Sequence, residues 1–235
     1  MKTNDTKVKP ARREFLGTIA TGAAALGLAG VLSPFHLDAA STSLNEAPGV
    51  EGADEWFNQV KGKHKIVFDC TRPNDIFPFV WPRVFLLTNE ATGTLSKDNS
   101  VVVILRHEAI PYAFEDRLWT KYNFGELFKA EDPATKKPSM RNPFWKPAKG
   151  AYKVPGFGEV SIGINELQDS GVLFCVCNAA MTVFSAAVAE NMKVDAATVK
   201  KDWEAGLLPG IQMVPSGVWA VGRSQEHGCA YAFAG

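Results

Sequence analysis

The sequence predicts an α/β protein, a doubly wound, mostly parallel sheet of about five strands that carries a long aromatic- and proline-rich insertion. Three observations lead there. Short β-branched and aromatic runs such as Lys65 to Asp69 and Val101 to Leu105 are continuous rather than alternating, the pattern of strands covered on both faces. Stretches with apolar residues at helical spacing separate these runs, giving the strand, helix, strand grammar of parallel sheets. The composition is also that of a globular chain: 46% of its 235 residues are hydrophobic and 21% charged, enough apolar material to fill one sizeable core.

Taken in order, residues 1–40 read as an export signal. Lys2, Lys7, Lys9, Arg12 and Arg13 precede an apolar run from Phe15 to Leu32. Gly17, Gly22, Gly27 and Gly30 interrupt that run, which argues against a transmembrane helix, since one needs about 20 strongly apolar residues. Arg12-Arg13-Glu14-Phe15-Leu16-Gly17 resembles the twin-arginine (Tat) motif. That resemblance implies the Tat export machinery as a partner and a periplasmic location, with a membrane tether if the signal is not cleaved. Residues 41–63 read as a polar, Gly- and Pro-containing linker, and residues 64–235 as the domain.

Within the domain, Lys65 to Asp69 is the first strand, Phe77 to Asn89 a helical stripe, and Val101 to Leu105 the second strand. From Ala109 to Gly158 the pattern fails: this insertion holds six prolines and many aromatics, with a short helix expected around Asp116 to Phe128. Phe144, Trp145, Tyr152 and Phe157 mark it as an arm or lid that packs on something rather than a solvated connection. Ile162 to Asp169 is helical and stops at Ser170-Gly171; Val172 to Val176 is a buried strand. Two helical stretches follow, Ala179 to Asn191 and Val194 to Trp203, the second with Asp195 as its N-cap. Ile211 to Val214, Ser216 to Glu226 and Cys229 to Phe233 complete the alternation as strand, helix and strand.

Charge and motif content remove several function classes. Lys plus Arg and Asp plus Glu each total 25, so no net field draws the chain to nucleic acid. There is no Gly-x-Gly-x-x-Gly after the first strand, no Walker phosphate loop, no Gly-x-Ser-x-Gly elbow and no His-Glu-x-x-His, so no cofactor is expected from these templates. Four cysteines are too few for a disulfide framework in a chain of this length.

The candidate chemistry lies with those cysteines. Cys177 falls just past a strand and just before a helix, where free backbone N–H groups and the positive end of the helix dipole favour a thiolate. Doubly wound folds also place ligands at the C-terminal ends of their strands. Cys175, two residues back, shares its face by strand alternation. Cys70 and His107, at the ends of the first two strands, would lie along the same sheet edge. Cys70, His107, Cys175 and Cys177, with Met181 nearby, make a soft ligand set suited to copper or zinc, although their spacing matches no zinc motif. Cys229 reads as core, His227 as a helix-end cap and His64 as a solvated residue. The residues alone leave open whether Cys177 is a nucleophile, a ligand or a small buried side chain.

Three blocks in the last third carry a family resemblance. They are Asn165 to Val172, Phe174-Cys175-Val176-Cys177-Asn178-Ala179-Ala180-Met181, and Val214-Pro215-Ser216-Gly217-Val218 leading to Gln225-Glu226-His227-Gly228-Cys229-Ala230-Tyr231. In that order they resemble the DsrE/DsrF-like sulfur-relay family over about residues 64 to 235. The resemblance implies sulfur binding or relay through Cys177 as a persulfide, with His107 as its polar partner and Cys175 as a modulator. It also implies a homotrimer or hexamer that exchanges sulfur with small sulfur species or a partner thiol. Two features depart from the family's pattern: Cys229 stands where an aromatic residue is usual, and the insertion stands where many relatives have a short connection. A periplasmic soft-metal protein and a non-catalytic oligomeric binding module are the alternative readings.

Overall fold

The computed structural model describes residues 50–235; the expected signal segment and the first part of the linker lie outside the described residues. The described part of the expected linker is packed onto the domain. Helix α1 (Ala53–Trp56) runs into a 3-10 turn at Phe57–Gln59, and Phe57 is fully buried with its ring 5.8 Å from that of Trp219. Val50, Ala53 and Val60 are buried with it and Trp56 packs against the core, anchors hidden in the sequence by the polar residues between them.

Five strands form one parallel sheet in the spatial order β6-β5-β2-β1-β7. They are β1 (His64–Cys70), β2 (Asn99–Leu105), β5 (Val172–Cys177), β6 (Ile211–Val214) and β7 (Ala230–Phe233). In β2, Ser100 to Leu105 are all buried, which is why its apolar run is unbroken. Edge strand β7 is short and mostly exposed. The expected doubly wound architecture is therefore the observed one, with all five strands where the apolar runs placed them.

Helix α2 (Phe77–Ala91) links β1 to β2; Phe79 stacks on Phe144 at 4.1 Å and on Phe174 of β5 at 6.4 Å. After β2 a 3-10 helix over His107–Ala113 leads into α3 (Asp116–Tyr122) and α4 (Phe124–Leu127), two helices where the sequence predicted one. The break is Asn123, whose left-handed backbone (φ 51°) an Asn side chain tolerates. A two-residue ribbon, β3 (Lys153–Val154) with β4 (Gly158–Glu159), is the only regular structure described between α4 and α5 (Ile164–Asp169).

The insertion is a built-in part of the core. Phe144 is fully buried, Tyr152 stacks on it at 5.3 Å, and the Tyr152 hydroxyl donates to the Pro143 carbonyl at 2.6 Å. Buried Asn142 clasps the segment: its amide donates to the carbonyls of Tyr112 and Phe114 while its Oδ1 accepts the Phe144 N–H. Of the four aromatics that suggested an arm or lid, Phe157 alone is strongly exposed, at 71%.

Helices α6 (Asn178–Met192) and α7 (Ala196–Ala205) connect β5 to β6, and Asp195 caps α7 as expected, accepting the Thr198 N–H at 2.8 Å. Asp202 of α7 ties the insertion down by accepting from Arg117, Lys121 and the Tyr122 hydroxyl. Burial raises the Asp202 pKa, but these three hydrogen bonds outweigh it and hold the carboxyl at about 2. With the folded value below the unfolded value of about 3.9, this contribution is complete above about pH 5 and is lost as pH falls towards 2. Asp202→Asn is therefore expected to be less stable than the parent near neutrality and to converge with it as pH approaches 2. Urea midpoints measured across that range check this; a constant gap at every pH would remove the carboxylate from the account. Helix α8 (Gly217–Glu226) joins β6 to β7, with Ser216 as its N-cap.

Candidate functional site

The chain turns from strand to helix without a linker at the end of β5: Cys177 is the last strand residue and Asn178 the first of α6. Cys177 is the N-cap residue, and its Sγ accepts the Ala180 N–H at 3.3 Å. A helix start leaves its first N–H groups without intrahelical partners, so a sulfur acceptor here is held by the backbone itself. The Ala179 N–H goes instead to the Pro215 carbonyl at 3.1 Å, tying the start of α6 to the loop before α8.

The other cysteines differ in kind. Cys70 and Cys175 are fully buried, and burial pushes both thiols well up, with nearby Asp69 adding to the effect on Cys70. Burial also pushes Cys229 up to about 11, against a partial pull from Lys65. Cys177 is buried too, but not completely, at 6% exposed. As alternation predicts, Cys175 and Cys177 lie on one face of β5. Cys70 does not share that face: it registers with Leu105, whereas Cys175 registers with Ile104.

The proposed ligand set is thus split. His107, at φ 51°, is exposed with its ring edge-on to Phe184 at 5.7 Å, and no hydrogen bond joins it to Cys177. Met181 is fully buried. Among the described residues, no three His, Cys, Asp or Glu side chains converge closely enough to hold a metal ion. Cys70, His107, Cys175 and Cys177 share a sheet edge without sharing a face. The remaining outliers sit as expected: His64 exposed, His227 at the end of α8, Cys229 buried.

What the sequence reading missed is the cluster beside Cys177. Asp69 of β1 is 1% exposed and grips Arg106 with both oxygens, Nε to Oδ1 at 2.6 Å and Nη2 to Oδ2 at 2.8 Å. The Tyr231 hydroxyl of β7 donates to the same Oδ2 at 2.8 Å. Leu105 registers with Val176, so Arg106 and Cys177 are the next neighbours on adjacent strands, and alternation places Asp69, Arg106, Cys175 and Cys177 on one face. The Asp69 hydrogen bond raises the Arg106 pKa despite partial burial, and burial, then Asp69, raises that of Tyr231.

Helix α8 is shaped to this cluster. A Cβ on Gly217 would stand 2.5 Å from the Arg106 Cβ and 2.6 Å from its Cδ, so only glycine lets the arginine stem cross the helix start. A surface depression of about 400 Å³ lined by Asp54, Glu55, Asn58, Arg223, Glu226 and His227 lies at the other end of α8. It is about 15 Å of helix away and takes no part in this site.

Asp69→Ala is expected to cost about 2–4 kcal/mol, because it leaves Arg106 and the Tyr231 hydroxyl without their shared acceptor. The lower half applies, since the Arg106 side chain is 27% exposed and water replaces part of the loss. The double replacement Asp69→Leu with Arg106→Met should recover most of it. Urea unfolding of the full mutant cycle measures the coupling; a value under about 0.5 kcal/mol would leave the pair with a packing role only.

One signal for the cluster was legible: an acid, Asp69, inside an otherwise apolar strand run needs a buried partner. In comparison with known proteins, no protein-family model matches the chain, and no curated protein matches it significantly.

Proposed function

We propose that this chain binds or relays sulfur through Cys177, as the resemblance of its last third to the DsrE/DsrF-like family implies. The observation that carries the reading is the placement of the Cys177 sulfur at the end of β5, on a helix N-terminus, with an arginine next to it on the neighbouring strand. In the proposed step the Cys177 thiolate attacks the terminal sulfane sulfur of a polysulfide or thiosulfate. The donor's S–S bond breaks, its electron pair leaves with the remainder (sulfite, for thiosulfate), and a Cys177 persulfide anion forms with no external oxidant. The 6% exposure of Cys177 suits a small sulfur species better than a bulky partner protein.

The Tat-type signal motif supports a periplasmic site of action, where a reduced thiol persists only if a partner keeps it so. The homotrimer or hexamer belongs to the same proposal. Exposed Phe77 and Trp81, stacked at 5.2 Å on α2, are apolar surface available to such an assembly.

The test is intact mass spectrometry of the protein purified without reductant or chelator, before and after polysulfide or thiosulfate. Gain of one sulfur atom's mass, mapped to the peptide containing Cys177, is the expected result. A bound metal with no sulfur adduct would move the assignment to the copper or zinc alternative; neither signal would leave a non-catalytic binding module.

A further inference from the structure

We propose that Arg106 is the specificity-determining residue of the Cys177 site and selects anionic sulfur donors over neutral ones. The inference rests on the reading of Cys177 as the reacting group. A guanidinium carries five N–H donors in a fixed fork. Asp69 occupies Nε and one face of Nη2, which leaves the Nη1 amino group and the outer Nη2 proton for another acceptor. The side chain is 27% exposed while the Asp69 side chain is 2% exposed, so the negative end of the pair is sealed inside and the positive end reaches solvent.

The brace fixes the direction of that charge. Asp69 holds the fork, Tyr231 holds Asp69, the Arg106 N–H donates to the Cys70 carbonyl at 3.0 Å, and Gly217 admits the stem. Register puts the arginine one strand from Cys177. The starts of α6 and α8 meet at the same edge, joined by the Ala179 to Pro215 bond, and add their positive ends. A donor such as thiosulfate would therefore have its oxyanion end attracted by Arg106 while its sulfane sulfur faces the thiol. A neutral donor gains nothing from that contact.

Charge selection is separable from thiol reactivity by using two alkylating probes of similar size, iodoacetate (anionic) and iodoacetamide (neutral). Both react by thiolate attack on the methylene carbon with loss of iodide. The readout is the ratio of their rates at Cys177, followed by peptide mass mapping on the native full chain and normalised to the same ratio in the urea-unfolded chain. A native ratio several-fold above the unfolded one is expected, falling about three- to tenfold in Arg106→Met and largely restored in Arg106→Lys. A purely structural role for Arg106 would change both rates together and leave the ratio alone. If Arg106→Met does not fold, the double replacement Asp69→Leu with Arg106→Met, which leaves no buried carboxylate unpaired, carries the same comparison, and the wild-type ratio must fall as salt rises from about 0.02 to 0.5 M. A native ratio equal to the unfolded one and insensitive to salt would overturn selection by Arg106 while leaving Cys177 reactive. Labelling of Cys177 by neither probe in the native chain would overturn the sulfur-relay reading and this inference with it.

Discussion

Cys177→Ser is expected to abolish sulfur loading while leaving the fold nearly intact. Serine is among the best N-cap residues, and its Oγ can accept the Ala180 N–H that the sulfur accepts now, so the start of α6 should hold or tighten slightly. A loss of loading then reports on chemistry rather than on unfolding. Cys175→Ala supplies the contrast. It removes a fully buried sulfur from the same strand face, costs about 1 kcal/mol of packing, and should still load one sulfur. Intact mass after polysulfide treatment, with urea midpoints for each variant, reads both quantities. Retained loading in Cys177→Ser would sink the assignment.

Trp203→Ala is expected to cost about 3–5 kcal/mol, measured as the shift in urea-unfolding free energy. The ring is fully buried in α7, with Phe124 edge-on at 5.0 Å, Phe114 at 5.5 Å, Tyr122 at 5.9 Å and Phe128 at 6.4 Å. All four neighbours belong to the segment between β2 and β3, so this side chain, beside Asp202, holds the insertion to the helix layer. Trp203→Phe should cost much less. The indole Nε1 is buried with no acceptor among the described residues, and losing an unsatisfied donor offsets part of the lost contact area. If both substitutions cost under about 1 kcal/mol, the insertion is held by Asp202 and by Phe144 on Phe79 instead.

The inner strands were legible because parallel strands buried on both faces leave unbroken apolar runs, whereas exposed edge strand β7 was legible from its short apolar and aromatic run after Gly228. Asp195 and Ser216 were legible as helix starts for a local reason, a side-chain oxygen placed to meet an N–H three residues on. The insertion was legible as a place where periodicity fails, but its integration was not, since it depends on Phe144 stacking on Phe79 of α2 and on Asp202 of α7 accepting from Arg117, Lys121 and Tyr122. The site divides along the same line. Cys177 could be placed from one strand–helix junction, whereas Arg106 acquires its meaning only through Asp69, 37 positions back, and Tyr231, which binds Asp69 across 162 positions. Cys70 shows the converse limit: its position at a strand end was right, but which face it takes depends on register with β2.

The pairing of β1 with β7 also bears on how the protein is made. Asp69 meets Ile104 of β2 across the crossover that holds α2, but it meets Tyr231 only after a closure of 162 residues, and the logarithmic law makes that closure about 1.4 kcal/mol costlier. Long closures of this kind form late. A ribosome delivers Cys177 well before Tyr231, so the emerging chain carries its thiol while the clamp on the neighbouring arginine is unfinished. On the proposed reading, discrimination among donors is acquired at the last act of folding, and a chain caught short of that act would hold a cysteine without a gatekeeper.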